Sequence, residues 1–261
     1  VAEKELSFLD LNNGSIMKPL VTIITPTTGS EQLADAVRSV ENQTYENIQY
    51  LVVIDGKERE EKTRQVLDSL SCTRYSLITL PQVTGYEQYN GHRIYGAMTY
   101  IAEGEYLCFL DQDNWYEPNH VETLVETVSN KVWAYSLRKI VDQSGNYICN
   151  DDCESLGKWK SVLNDNFVDV GCFLLPKLLA LRFSPGWYRR ARHPQEQPEV
   201  DRLLSQLLLN QIPKEQSDTN GLYTLNYRVA SRSDSVQAAF FQNGNERMNK
   251  IMNGEYPWRK I

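Results

Sequence analysis

Residues 106–118, YLCFLDQDNWYEP, carry an uncharged apolar run into two aspartates one residue apart, followed by Asn, Trp and Tyr. The run YLCFL (106–110) reads as a buried strand brought to the surface and finished by Asp111 and Asp113. Two-residue spacing at a strand end turns both carboxylates the same way. Left alone, two such acids repel and raise each other's pKa. A divalent, oxygen-seeking ion, Mg2+ or Mn2+, would relieve that conflict and keep positions for phosphate oxygens. A solvated Asp-rich turn is the competing reading, and Asp-x-Asp alone does not choose between them.

Upstream, the same pattern recurs. LVTIITP (20–26) is β-branched, uncharged and stopped by proline; YLVVID (50–55) ends in Asp55-Gly56; YSLITL (75–80) is a third strand. Between them lie helical spacings over 30–43, 58–70 and 91–102, the first with Leu33, Val37 and Val40 inward. Strands apolar on both faces that alternate with helices predict a mostly parallel sheet covered on both sides, an α/β fold. Ligands in such sheets sit beyond the carboxyl ends of the strands. Three of those ends carry polar chemistry: Thr25-Pro26-Thr27, Asp55-Gly56 and Asp111-Gln112-Asp113. The first turn, TPTTGS, has a single glycine and is neither a dinucleotide fingerprint nor a P-loop.

After residue 131 the pattern changes. Residues 132–148 predict a hairpin turning at Ser144-Gly145-Asn146, and 167–183 a strand followed by a short helix. Residues 185–198 read as a loop and 198–211 as a helix with leucines at 203, 204, 207 and 208. From 226 the chain reads as strand-like, then polar, without a core pattern. No linker separates the halves, so one domain is expected: an arm (1–19), segments 20–130 and 131–225, and a tail or lid (226–261).

Bulk composition narrows the function. At 261 residues, 41% hydrophobic and 23% charged, the chain is an ordinary globular protein with a full core. A net charge of −7 argues against a general nucleic-acid or anionic-membrane binder. No apolar run approaches the ~20 residues of a membrane span. The start, VAEKELSFLD, shows no signal peptide and no initiator Met, and reads as a fragment or a processed form. Five scattered cysteines read as free thiols in a reducing cytoplasm, with peripheral attachment to a membrane left open. Cys149 and Cys153 could pair or bind metal, but no second pair or suitable His completes a zinc set.

Two segments taken in order, SVENQTYENIQYLVVIDG (39–56) and AEGEYLCFLDQDNWYEPNHVETL (102–124), resemble the inverting family 2 glycosyltransferases of GT-A fold. The resemblance spans residues 20–130 and, more loosely, 167–212. It implies a nucleotide-diphospho-sugar donor, UDP-linked, a hydroxyl-bearing acceptor such as a carbohydrate, and a bound Mn2+ or Mg2+. Segment 20–130 would then bind the nucleotide and 131–225 the acceptor. By the same resemblance Thr25, Pro26 and Thr27 line the nucleotide. Asp55 sets a carboxylate against the uracil ring, although the family often has two acids before the glycine and this chain has Ile54-Asp55. Arg93 falls near a basic residue directed at the nucleotide, at a spacing a few residues different. Asp111 contacts ribose or sugar, Gln112 joins the nucleotide contacts, and Asp113 ligates the metal. A further His ligand has no match among His92, His120 and His193.

Inversion also requires a base for the acceptor hydroxyl. The family's E-D-x-x-L pattern falls on EVDRLL, giving Asp201 that role, with Val200 in place of the first acid and Glu199 in reserve. An acid there also favours a helix N-terminus, whatever else it does. Asp169-Val170-Gly171-Cys172 resembles the acceptor-side strand. Trp115, Tyr116, Trp187 and Tyr188 would stack on sugars or simply pack, and the basic stretches 189–192 and 227–235 would face the diphosphate or solvent. The rivals are a sugar nucleotidyltransferase, which would want a Gly-rich basic first turn, and a non-catalytic carbohydrate-binding module.

Overall fold

The first strand, β1 (Val21–Thr27), is buried along its whole length, as an uncharged β-branched segment must be if both faces are covered. In the computed structural model, which describes residues 18–86, 90–188, 200–230 and 235–260, it lies between β2 (Ile48–Ile54) and β4 (Tyr106–Phe109), parallel to both. β3 (Ser76–Thr79) adds in parallel to β2. The crossovers are α1 (Leu33–Glu41), α2 (Glu60–Asp68) and α3 (His92–Ile101). α1 buries Leu33, Ala36, Val37 and Val40, the face its spacing marks. The glycine of AEGEY has a steric reason: a Cβ on Gly104 would stand 2.5 Å from the backbone nitrogen of Thr22 in β1.

The parallel arrangement stops at β4. The described strands run β3-β2-β1-β4-β8-β6-β9-β5, with β7 on β6. β8 (Phe173–Pro176) is antiparallel to β4, and β6 (Trp133–Val141) is antiparallel to β8. β9 (Ser217–Arg228) is parallel to β6, while the two-residue β5 (Trp115–Tyr116) returns antiparallel to it. The sheet is therefore mixed: parallel from β3 to β4, with a second parallel pair, β6 and β9, among antiparallel neighbours. The expected hairpin forms from β6 and β7 (Tyr147–Asn150), with Gly145 at φ 86° in the turn. α4 (His120–Val128), α5 (Lys177–Phe183) and α6 (Val200–Gln211) pack around these strands.

The region from 226 departs from the expected polar tail. β9 ends there, and α7 (Ala238–Met252) follows. Phe241, Met248 and Trp258 join Leu137, Ile140, Cys153 and Leu156 in a second apolar cluster. The sequence hid this because α7 buries only Phe241, Gly244 and Met248, too thin a stripe among polar residues. The five cysteines are free thiols. Among the described residues no helix is long and apolar enough to cross a membrane.

Candidate active site

β4 stops at Phe109, so Asp111 and Asp113 do not alternate along a strand; they stand on a turn closed by Asn114 N–H on the Asp111 carbonyl (3.2 Å). Three sets of bonds hold that turn. Gln112 Oε1 accepts Thr27 Oγ1–H (2.8 Å) and Thr28 N–H (2.9 Å), while its Nε2 donates to Thr28 Oγ1 (3.0 Å). Tyr95 donates its hydroxyl to Asp111 Oδ1 (2.7 Å). Arg228, at the end of β9, donates Nε–H to the Asp113 carbonyl (3.0 Å) and its own N–H to Asn114 Oδ1 (2.9 Å). Arg228 also reaches Asp35 Oδ2 (2.8 Å) and the Gln143 carbonyl (2.5 Å). Of the basic residues in 227–235 expected to face a diphosphate or solvent, Arg228 is thus spent on backbone and on Asp35, and Arg232 lies outside the described residues. Gln112 likewise serves as a clasp between the ends of β1 and β4.

The first-strand turn divides its labour. Thr25 is fully buried and accepts the Tyr50 hydroxyl (3.1 Å), so its side chain faces the core. Pro26 is buried against Gly91, where a Cβ would stand 2.6 Å from Pro26 Cγ. Thr27 supports Gln112 and the Gly29 N–H (3.0 Å).

Asp55, 3% exposed, already accepts four hydrogen bonds: Thr84 N–H (2.6 Å), Thr84 Oγ1–H (2.8 Å), Gly85 N–H (3.1 Å) and Arg59 Nη1–H (3.2 Å). A base N–H reaches this carboxylate only by replacing one of them. Arg93, one residue into α3, donates to the Thr84 carbonyl (2.9 Å) and stands 4.3 Å from the Tyr86 ring and 5.0 Å from the Tyr188 ring. Asp55 and Arg93 therefore converge on one loop, 84–86.

Four carboxylates gather near the β4 end. Asp111 is pushed up to about 7 chiefly by burial, then by repulsion from Asp113, with Asp169 and Asp201 adding to it. Asp169 caps the 170–172 turn through Gly171 N–H (2.9 Å) and is itself raised, by burial first, against the pull of Arg138. Asp201 lies in the first turn of α6, half-buried, with Oδ1 accepting Arg202 N–H (2.8 Å). Its charge reaches His92 as well, where it opposes the burial that lowers that imidazole. Among the described residues no three His, Cys, Asp or Glu side chains form a ready metal cage. His120 is buried, bonded through Nδ1 to Thr224 Oγ1 (2.8 Å) and stacked on Tyr116 at 3.7 Å.

Of the four aromatics, Trp187 is core: 2% exposed, it packs on His92, Tyr95 and Phe109 at 5.3–5.7 Å. Tyr116 is buried too, its hydroxyl on the Phe109 carbonyl (3.0 Å). Trp115 is half-buried beside Arg228, and Tyr188 is exposed beside Arg93. Glu199, His193 and residues 189–192 lie outside the described residues. Sequence reasoning missed Tyr95, the clamp made by Arg228, and a buried group around Arg138. The signal for the last was a charged pair, Arg138-Lys139, inside the strand WAYSLRKIV.

Comparison with known proteins bears on the family and the fold. Residues 22–148 match the model of a family described as Glycosyl transferase family 2. An uncharacterized glycosyltransferase of Rickettsia felis is 30% identical over 139 residues, 50% of this chain and 21% of that protein. The uncharacterized glycosyltransferase RC0461 of Rickettsia conorii is 31% identical over 141 residues, 51% of this chain and 22% of its own. The chain thus spans about a fifth of the length of these curated relatives. Among solved structures, S. aureus TarS 1–349 in complex with UDP-GlcNAc superposes with a TM-score of 0.57 at 14% identity, over 90% of this chain and 67% of that one. That likeness is one of fold.

Proposed function

Through residues 22–148 this chain belongs to glycosyl transferase family 2, and we propose that it moves a sugar from a nucleoside-diphosphate donor to an acceptor hydroxyl with inversion. The observation that supports this most is the meeting of Asp111, Asp113, Asp169 and Asp201 beside the end of β1, where an α/β sheet takes its ligands. The donor to try first is UDP-linked, since the structural neighbour TarS was crystallised with UDP-GlcNAc.

Asp113, helped by Asp111, would hold Mg2+ or Mn2+. The pair fits such an ion: Asp113 stands close enough to add its repulsion to the burial that raises Asp111, and these ions take one or two carboxylates and fill the rest with water and phosphate. Bound there, the ion would offset charge growing on the leaving diphosphate. Thr27 and Gln112 fix the turn that carries both acids. Asp55 and Arg93 shape the 84–86 loop as the wall of the base pocket. Asp201 takes the proton from the acceptor hydroxyl as its oxygen bonds to the anomeric carbon and the bond to the diphosphate breaks. Five free thiols fit a reducing compartment, so we place the reaction in the cytoplasm.

Calorimetric titration with a panel of nucleotide sugars, with and without Mn2+, followed by NMR of the product, tests the reading. The expected result is metal-enhanced binding of one donor and a product of inverted anomeric configuration. Binding with neither transfer nor donor hydrolysis would favour a non-catalytic module; retained configuration would remove the single-base mechanism.

A further inference from the structure

Arg138 sits in the middle of β6 and is 2% exposed, a position where a charge is tolerated only if fully paired. Three carboxylates surround its guanidinium. Nε donates to Asp151 Oδ2 (2.8 Å), Nη2 to Glu154 Oε2 (2.5 Å) and Nη1 to Asp169 Oδ2. Asp151 is anchored in turn by the N–H groups of Cys153, Glu154 and Ser155 (2.8–3.0 Å), which fixes the loop that carries Glu154.

The second oxygen of Glu154 does not end the network. Oε1 accepts Arg202 Nη2–H (2.5 Å), and Arg202 Nη1–H goes to Asp165 Oδ2 (2.5 Å). Arg202 is the residue after Asp201, and its backbone N–H is the donor that meets Asp201 Oδ1 (2.8 Å). An unbroken path of charge-assisted bonds therefore runs from a buried strand to the first turn of α6.

We propose that Arg138, Glu154 and Arg202 are positioning residues that set where the Asp201 carboxylate stands, with Glu154 as the bridge between the two guanidinium groups. The proposal rests on Asp201 being the base. A cradle of this kind answers a geometric need: a reacting group displaced by about 1 Å can lose on the order of 10²-fold in rate. It also explains why four acids tolerate two arginines at their centre: each cation is shared, so no carboxylate of Asp151, Glu154, Asp165 or Asp169 is left without one.

Glu154→Gln tests it without emptying the core. Gln presents an NH2 where one guanidinium expects an oxygen, so the bridge breaks. Arg138 keeps Asp151 and Asp169, and Arg202 keeps Asp165. Steady-state transfer with a cognate donor and acceptor should show kcat lower by at least about tenfold and donor KM within about twofold. Amide exchange should quicken in residues 200–206 of α6 while β6 exchanges as before. Asp165→Asn, which loosens the other arm of Arg202, should shift both readouts the same way. Wild-type kcat in Glu154→Gln would overturn the proposal, as would exchange that rises equally in α6 and β6, the mark of a merely structural loss. Asp201→Asn, run alongside, separates the premises: if that variant transfers normally, the base assignment itself has failed, and the relay with it.

Discussion

Asp55 and Asp113 are both acids at strand ends, yet their surroundings assign them different work. Asp55 is buried under donors from the 84–85 loop and Arg59, so Asp55→Ala leaves several part-buried donors without their acceptor. Loosening that wall should weaken uridine binding equally with and without Mn2+, measured by calorimetry; unchanged affinity would make Asp55 structural only. Asp113 is held by its carbonyl rather than its carboxylate. Asp113→Ala should keep the melting temperature and lose the metal-dependent part of UDP binding, and a variant that still binds UDP with Mn2+ like the wild type would remove the metal assignment. His120 makes a third case. Burial lowers its pKa to about 3, and among the described residues no acceptor meets a proton on its Nε2. The unfolded chain binds that proton near 6.5, so stability is complete above ~6.5 and falls by up to about 1.4 kcal/mol for each pH unit below it, down to about 3. Denaturant titrations at pH 7 and pH 5 should show that slope, reduced in His120→Gln.

At the scale of elements, β4 and the turn after it depend on β9. Arg228→Met keeps the apolar stem but drops the bonds to the Asp113 carbonyl, Gln143 and Asp35. Metal-dependent nucleotide binding should weaken severalfold although no ligand atom is removed; binding equal to wild type would mean that the turn holds its shape alone. The carboxyl-terminal segment is anchored just as firmly. Trp258 is 1% exposed and donates Nε1–H to Asp152 (2.8 Å), so Trp258→Ala should cost about 3–5 kcal/mol in chemical denaturation. A loss below 1 kcal/mol would return this segment to the status of a loose tail. β1 to β4 and their helices were legible because each segment is apolar on its own terms. β5, with two residues, and α7, with a thin buried stripe, take their structure from partners far along the chain: Trp115 pairs with Asn226, and Gly244 lies against Cys153. Asp111 and Asp113 stood out by spacing and Asp201 by the resemblance, whereas Asp169 stood only within an acceptor-side strand. What holds them was not legible, since Arg228 and Arg138 act through contacts that no local pattern encodes.

For the whole molecule, the sheet joins two chemistries across β4 and β8: the first four strands carry the turn with Asp111 and Asp113, and the other side supplies Asp169 and, through α6, Asp201. In the proposed transfer Asp201 would remove the proton from the acceptor hydroxyl. Asp201→Asn preserves size and most local hydrogen bonding but gives up proton acceptance near neutral pH. Transfer measured with saturating donor and acceptor should fall by about 10²–10⁴-fold, with donor affinity within about twofold, because the base acts on the acceptor. If Asp201 merely favours the end of its helix, the same variant loses a fraction of ~1 kcal/mol in stability and turns over at nearly the wild-type rate, and that result would contradict the account.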